Sequence, residues 1–114
     1  MIKIKRVYDP VEDGDGKRFL VDRLWPRGIR RSALLIDGWI KDAAPSTELR
    51  QWFNHDPARW NEFRVRYFAE LESKPEAWEA IAQVQHDGTV TLLYGAKEVE
   101  HNHALALMEF LRVH

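Results

Sequence analysis

Residues 89–111, TVTLLYGAKEVEHNHALALMEFL, decide the fold. The first six are β-branched or apolar, contain no proline and follow Asp87-Gly88, a pattern that predicts a buried strand over residues 89–94. The last part carries apolar side chains at helical spacing, which predicts an amphipathic helix with one core-facing stripe. That stripe consists of Ala104, Leu105, Leu107, Met108 and Leu111. Ligands in α/β proteins bind outside the carboxyl ends of strands, at helix N-termini that favour anions. The polar loop between this strand and this helix is therefore the predicted place of function.

The composition is that of one globular domain. A chain of 114 residues, 45% of them apolar, can bury one core, so we expect a single domain over residues 1–114. The formal net charge of -1 gives no general basic field, and nucleic acid is therefore not favoured as a partner. Cysteine is absent, which excludes disulfides, thiolate nucleophiles and cysteine-based zinc sites. No segment resembles a membrane span or a signal peptide, so we expect a cytoplasmic protein without a membrane partner.

Two further strands are predicted in the first quarter of the chain. Residues 2–8 alternate apolar with basic side chains, which is typical of an edge strand with one solvated face. Residues 17–25 are apolar on both faces at their centre, which predicts a strand inside the sheet. The connection between the two strands is about ten residues long, so antiparallel and parallel pairing both remain open. Residues 33–40 are predicted as a short irregular strand.

Helices fill the middle of the chain. Ser46 or Thr47 can cap a short helix that ends near Phe53, and Asp56-Pro57 is a typical helix start. After the break at residues 73–75 a further helix is expected to end near Gln85. The order of strand, helices, strand and helix predicts an α/β layered domain with a short, mostly parallel sheet flanked by helices.

Polar residues follow the predicted central strand at its carboxyl end. Asp22 can pair with Arg23 or Arg27 and so tie down the loop, or it can serve as a general base or metal ligand. Both interpretations stay open, because structural ion pairs also occupy such places. Four aromatic side chains either line the same cleft, where they would stack on a base or sugar, or belong to the core. They are Trp25, Trp39, Trp52 and Tyr94.

The loop before the last helix carries the second polar cluster. Lys97 is either an anion-binding residue or a solvated lysine, and Asn102 either contacts a ligand or caps the helix. His101 is an acid–base candidate. His101 and His103 would point about 200° apart on a helix, so both can bind one metal ion only if the first turn is unwound. Such a zinc or iron site would recruit Glu98, Glu100 or Asp22.

Four separated motifs resemble those of the YeaO-like proteins, a branch of domain-of-unknown-function family 488. They are VYDP at residues 7–10, FLVDRLWPRG at 19–28, APSTELRQWFNHDPARW at 44–60 and TLLYGAKEVEHNHA at 91–104. The resemblance implies a small bacterial α/β protein, located in the cytoplasm. It also implies one cleft that gathers Asp22, Arg23, Lys97 and His101. Some relatives in the wider family carry cysteine in the last motif, where this chain has none, so the resemblance lends no support to a thiol-dependent role.

Three hypotheses about function follow. The first is a polar cleft that binds, or acts on, an anionic or phosphorylated small molecule. Its anion contacts would be Arg23, Arg27 and Lys97, and its acid–base group Asp22 or His101. The second is a non-catalytic module that binds nucleic acid or protein through a basic patch of Arg27, Arg30 and Arg31. The third is a metal-binding protein that uses His101 and His103. The sequence identifies no cofactor, no oligomeric state, and no turnover reaction.

Overall fold

The computed structural model describes residues 1–114 and contains one four-stranded parallel sheet. The strands are β1 (Ile2–Arg6), β2 (Lys17–Leu20), β3 (Gly38–Trp39) and β4 (Val90–Tyr94), and their order in the sheet is β1-β4-β2-β3. All four α-helices follow β3 in the chain, and three of them lie between β3 and β4. The predicted α/β layered domain with a parallel sheet is confirmed.

The last strand, β4, is the centre of the sheet. All five of its residues are buried, and it pairs in parallel with β1 on one side and with β2 on the other. The first two strands are therefore not neighbours, because β4 lies between them. This answers the question of their pairing, since each runs parallel to β4. The predictions of a buried strand after Gly88 and of an edge strand at the N-terminus are both confirmed.

The second strand is shorter than predicted. It ends at Leu20 rather than at Trp25, although the N–H of Val21 still donates to the carbonyl of Leu93 at 3.1 Å. Beyond that point the backbone is held by other partners. The indole Nε1 of Trp39 donates to the carbonyl of Asp22 at 2.7 Å. Of the irregular strand predicted over residues 33–40, only β3 pairs with β2, and a 3₁₀ turn at Arg31–Ala33 precedes it.

Four helices cover one face of the sheet. They are α1 (Thr47–Phe53), α2 (Trp60–Glu72), α3 (Glu79–Asp87) and α4 (His103–Arg112). Ser46 caps α1, because its hydroxyl accepts a hydrogen bond from the N–H of Leu49 at 3.1 Å. Asp56 caps a 3₁₀ turn, Pro57–Arg59, that runs directly into α2. None of the helices is long and apolar enough to cross a membrane.

The two faces of the sheet have separate cores. Side chains of alternate strand residues, such as Leu92, point to the helices and join a cluster of 21 buried residues. Leu20 and Leu93 point the other way and pack with Val7 and Leu34. The segment between β2 and β3 covers this second face, and no helix does so. The sheet is thus packed on both faces, by helices on one and by the segment between β2 and β3 on the other.

A buried ion cluster lies on the second face. The carboxylate of Asp15 is 2.5 Å from the guanidinium of Arg18 and 3.1 Å from the ammonium of Lys5. Asp15 is only 2% exposed, and burial alone would raise its pKa. The backbone N–H of Glu12 and the two cations outweigh that effect and hold the pKa of Asp15 below its ordinary value. The cluster joins β1, β2 and the turn between them.

Candidate functional site

A cleft opens at the carboxyl ends of the strands, between the end of α1 and the loop that joins β4 to α4. Its volume is about 270 Å³, and we call it the histidine cleft. Seven polar side chains line it: Arg50, Gln51, Asn54, His55, His101, Asn102 and His103. Its apolar part includes Phe53 and Phe63. Neither aspartate nor glutamate is among its lining residues, so its fixed charge is positive.

The loop of residues 95–102 is folded around one carboxylate. Glu98 accepts hydrogen bonds from the N–H groups of Glu100 at 2.9 Å and His101 at 3.1 Å. The same oxygen lies 3.2 Å from Nδ1 of His101. The N–H of Glu100 is the largest of the influences that lower the pKa of Glu98, and His101 adds to it. Glu98 therefore stays ionised and holds the turn in place.

Asn102 anchors the end of this loop. Its Oδ1 accepts a hydrogen bond from the N–H of Leu105 at 2.9 Å, and its Nδ2 donates to the carbonyl of Glu98 at 3.0 Å. It is 3% exposed. Asn102 is thus the N-cap of α4, one of the two roles expected from the sequence, and it also borders the histidine cleft. A contact between Asn102 and a ligand stays a prediction.

Four consecutive backbone N–H groups in the loop, those of residues 96–99, donate to no protein acceptor. The next two, of Glu100 and His101, are used by Glu98. The first N–H groups of α4 have no acceptor within the helix either, as at any helix start. Successive N–H donors of this kind favour an anion.

Asp22 connects the loop to the end of β2. Its Oδ2 accepts a hydrogen bond from the N–H of Gly95 at 2.8 Å, and its Oδ1 lies 2.9 Å from Nε2 of His103. Neither arginine expected as its partner makes an ion pair with it. A side chain at position 95 would crowd the carboxylate, because an added Cβ would lie 3.1 Å from Oδ2. Glycine at this position therefore permits the contact.

The imidazole of His103 lies between a backbone carbonyl and a carboxylate. Its Nε2 lies 3.1 Å from the carbonyl oxygen of Val21 and 2.9 Å from the carboxylate of Asp22. The carbonyl acceptor at Nε2 requires that nitrogen to carry the proton, so Nδ1 is the unprotonated nitrogen of the neutral ring. The Asp22 contact is electrostatic, because its Oδ1 forms no hydrogen bond. When the ring is protonated, Asp22 balances its charge. His103 is thus held at the wall of the histidine cleft in a defined tautomer.

The two predicted metal-binding histidines are held by different carboxylates. His101 contacts Glu98, and its ring packs edge-on against Trp60 with the centroids 5.4 Å apart. Possible ligand atoms of Glu98, Glu100 and His101 lie within 4.8 Å of one another, and His103 is not among this group. A metal site that combines His101 with His103 stays a prediction.

A second, shallower depression lies beside the histidine cleft, on the other side of Asp22. Its volume is about 410 Å³, and we call it the tyrosine groove. The residues that define it are Arg6, Tyr8, Leu24, Trp25, Arg27 and Lys97. Asp22 and Gly95 also line it, on the side nearest the histidine cleft. The residues expected to share one cleft are therefore divided: Asp22, Trp25, Arg27 and Lys97 line the groove, whereas His101, Asn102 and His103 line the cleft.

The whole chain, residues 1–114, matches a family model described as "Inactive DUF488-N3 subclade". The chain belongs to the DUF488 family. It is similar to the uncharacterized protein YeaO of Escherichia coli (strain K12), with 47% identity over 111 residues that cover 97% of this chain and 96% of the relative. An uncharacterized protein of Mycobacterium tuberculosis (strain ATCC 25618 / H37Rv) is 38% identical over 110 residues, covering 96% of this chain and 92% of the relative. The expected YeaO-like membership is confirmed. No solved structure matches the chain significantly.

Two of the predicted site residues of this DUF488 protein lie outside both depressions. Arg23 donates to the carbonyl groups of Ala44 at 3.3 Å and Pro45 at 3.4 Å, and so fixes the segment before α1. Tyr94 is 3% exposed and belongs to the helix-side core, where burial raises the pKa of its hydroxyl. Ligand contacts of either residue stay predictions.

The three tryptophans expected in one cleft of this DUF488 protein do not lie together. Trp25 and Trp39 pack edge to face with their centroids 5.2 Å apart, and the guanidinium of Arg31 lies 4.7 Å from each ring. Trp52 instead contacts the guanidinium groups of Arg59 and Arg66 and borders neither depression.

Four polar cleft residues were missed by reasoning from the sequence: Arg50, Gln51, Asn54 and His55. Asn54 and His55 have φ angles of 48° and 53°, which is the left-handed region that residues other than glycine rarely adopt. The sequence signal was Asn54, which stands between the end of one predicted helix and the helix start at Asp56-Pro57. Asparagine at a helix end often takes this conformation. That turn directs His55 and the end of α1 toward the loop of residues 95–102.

Proposed function

We propose that this DUF488 protein binds an anionic, phosphorylated small molecule in the histidine cleft. The observation that carries the proposal is the composition of the cleft wall, which combines Arg50 with three imidazoles and contains no carboxylate. A phosphate would be attracted by the fixed charge of Arg50, and its oxygens match the planar donors of a guanidinium. His103, held with Nε2 toward Asp22, adds a second positive charge when its ring is protonated.

The backbone around the cleft supports the same ligand. The N–H groups of residues 96–99 have no protein acceptor, Ala96 of this segment lines the cleft, and α4 begins at the cleft residue His103. Donors that are fixed before the ligand arrives lose little entropy on binding, so they favour phosphate over its hydration shell. Lys97 is exposed at the rim of this loop and would add to the attraction.

We propose binding without turnover. The chain has no cysteine and therefore no thiolate nucleophile. The family model that it matches is described as an inactive subclade. In this proposal His103 acts as a hydrogen-bonding and charged group for the anion, and Asp22 keeps it in place. We further propose the cytoplasm as the location, which fractionation of cells with an antibody against the protein would test.

Titration of tag-free protein with inorganic phosphate and ribose 5-phosphate tests the proposal. A ligand at about 100 times its dissociation constant stabilises the folded state by roughly 2.7 kcal/mol, which thermal unfolding detects easily. Arg50→Gln removes a charged hydrogen-bond donor, so we expect the affinity for both ligands to fall at least about tenfold. Arg112→Gln is the matched control, because Arg112 is exposed at the far end of α4. Equal binding by all three proteins, or no binding by any, would contradict the proposal.

A metal site is the second candidate, favoured by the approach of Glu98, Glu100 and His101 within 4.8 Å. A nitrogen and two carboxylates would suit zinc. The same thermal panel with zinc distinguishes the two candidates, because a metal effect would disappear in Glu100→Gln and leave phosphate binding in place, since Glu100 does not line the histidine cleft. In that outcome the protein would be a metal-binding protein as well as, or instead of, a phosphate-binding one.

A further inference from the structure

We infer that the ligand is a nucleoside phosphate, with its phosphate in the histidine cleft and its base in the tyrosine groove. This inference rests on the proposed function, because it extends the phosphate site to the rest of the molecule. Its basis is the position of the groove beside the cleft and the chemistry of the residues that line it.

The two depressions are continuous around the loop that follows β4. His55 and Ala96 line the histidine cleft and also a shallow depression over residues 95–98. Gly95 and Lys97 line that depression and the tyrosine groove. A ligand whose phosphate lies in the cleft can therefore follow the surface past Ala96 and Lys97 into the groove.

The groove offers an apolar and aromatic surface to solvent. Tyr8 is 48% exposed and Leu24 67% exposed, and both stand beside Trp25. The guanidinium of Arg6 lies 4.9 Å from the centroid of the Tyr8 ring, and the Tyr8 hydroxyl donates to the carbonyl of Arg27 at 2.9 Å. The ring is thus held in one orientation with part of its surface uncovered. An aromatic ring next to an arginine is a typical platform for a nucleobase.

The cations of the groove have no carboxylate partners. Neither Arg27 nor Lys97 makes an ion pair, although both are exposed, and Arg6 donates to the carbonyl groups of Gly95 and Ala96 instead. By contrast, Lys17, at the opposite end of the sheet, faces Asp37. The acceptor atoms of a base would find donors in Arg27 and Lys97. A ligand that consists only of phosphate or a sugar phosphate has no planar group to cover Tyr8 and Leu24.

Comparison of AMP with ribose 5-phosphate isolates the contribution of the base. We expect the wild-type protein to bind AMP about ten times more tightly, as stacking of one base on an aromatic ring provides. Tyr8→Ala should abolish this preference and leave the affinity for ribose 5-phosphate unchanged. Tyr8→Phe is the matched control, since it keeps the ring and removes only the hydroxyl, and it should keep the preference for AMP. Circular dichroism of each variant verifies that it is folded.

The other outcomes separate this inference from the proposed function. Equal affinities of the wild-type protein for AMP and ribose 5-phosphate would overturn the nucleoside assignment and leave the phosphate site intact. A preference for AMP that survives Tyr8→Ala would place the base elsewhere and would also overturn it. If neither compound nor inorganic phosphate binds, the proposed function fails, and the inference fails with it.

Discussion

At Gly95 the absence of a side chain allows the Asp22 carboxylate to reach the backbone. The N–H of Gly95 donates to Oδ2 at 2.8 Å, and a Cβ on the same residue would lie 3.1 Å from that oxygen. The other oxygen of the carboxylate lies 2.9 Å from Nε2 of His103, so one glycine influences the surroundings of an imidazole in the cleft. This dependence can be tested with one substitution.

Gly95→Ala should displace the Asp22 carboxylate and so remove its contact with His103. We expect a loss of about 1 kcal/mol in the free energy of unfolding, the usual value for one hydrogen bond. The NMR shifts of the His103 imidazole nitrogens should change, because a negative charge moves away from Nε2 while the Val21 carbonyl stays. Gly88→Ala is the control, since an added Cβ at that position has nothing within 4 Å and its backbone is extended. Unchanged His103 signals in Gly95→Ala would show that Asp22 does not orient the ring.

The helices of this protein are better predicted from its sequence than its strands, because helix starts depend on local residues. Ser46, Asp56 and Asn102 were each recognisable as caps from their neighbours, and each accepts a hydrogen bond from a backbone N–H two or three residues later. The end of β2 depends instead on distant residues. After β2 ends, Asp22 is hydrogen-bonded to Trp39 and Gly95, which lie 17 and 73 residues away in the chain.

The cap of α4 connects helix stability to the candidate site. Asn102→Ala removes the hydrogen bond to Leu105 and the one to Glu98, so we expect a loss of about 1 to 2 kcal/mol in the free energy of unfolding. Phosphate affinity should fall as well, because the loop of residues 95–102 loses its anchor. Urea denaturation and phosphate titration measure the two effects. Asn61→Ala, an exposed asparagine on α2, should change neither of them. A stability loss with full phosphate affinity would separate the loop from the ligand site.

The whole molecule has one face covered by helices and one covered by loops, and the site lies where the two coverings meet. The first strand was visible in the sequence as an alternating segment and the second and last as apolar runs, but the order β1-β4-β2-β3 was not visible, because crossovers leave no local signal. The predicted site residues divide between a cleft and a groove for the same reason. Asp22 belongs to the loop side and His103 to the helix side, and their contact forms the wall between the two depressions.

The acid stability of the molecule should depend on the ion cluster of the loop-covered face. The folded-state pKa of Asp15 is below its ordinary value of 3.8, so its ionised form stabilises the fold fully above that pH. The contribution is lost as the pH falls through the folded-state pKa. At neutral pH, Asp15→Asn leaves Arg18 and Lys5 without their buried partner and should cost about 3 kcal/mol.

Urea denaturation between pH 7 and pH 2 measures this dependence. The difference between the wild-type protein and Asp15→Asn should be constant at neutral pH and should shrink once the medium is acidic enough to protonate Asp15. Asp13→Asn is the matched control, because Asp13 is an exposed carboxylate in the same turn and forms no ion pair. Its curve should follow that of the wild-type protein throughout. A difference that persists at the lowest pH would mean that Asp15 stabilises the turn through packing rather than through charge. The cluster that links β1, β2 and the turn between them would then be insensitive to acid.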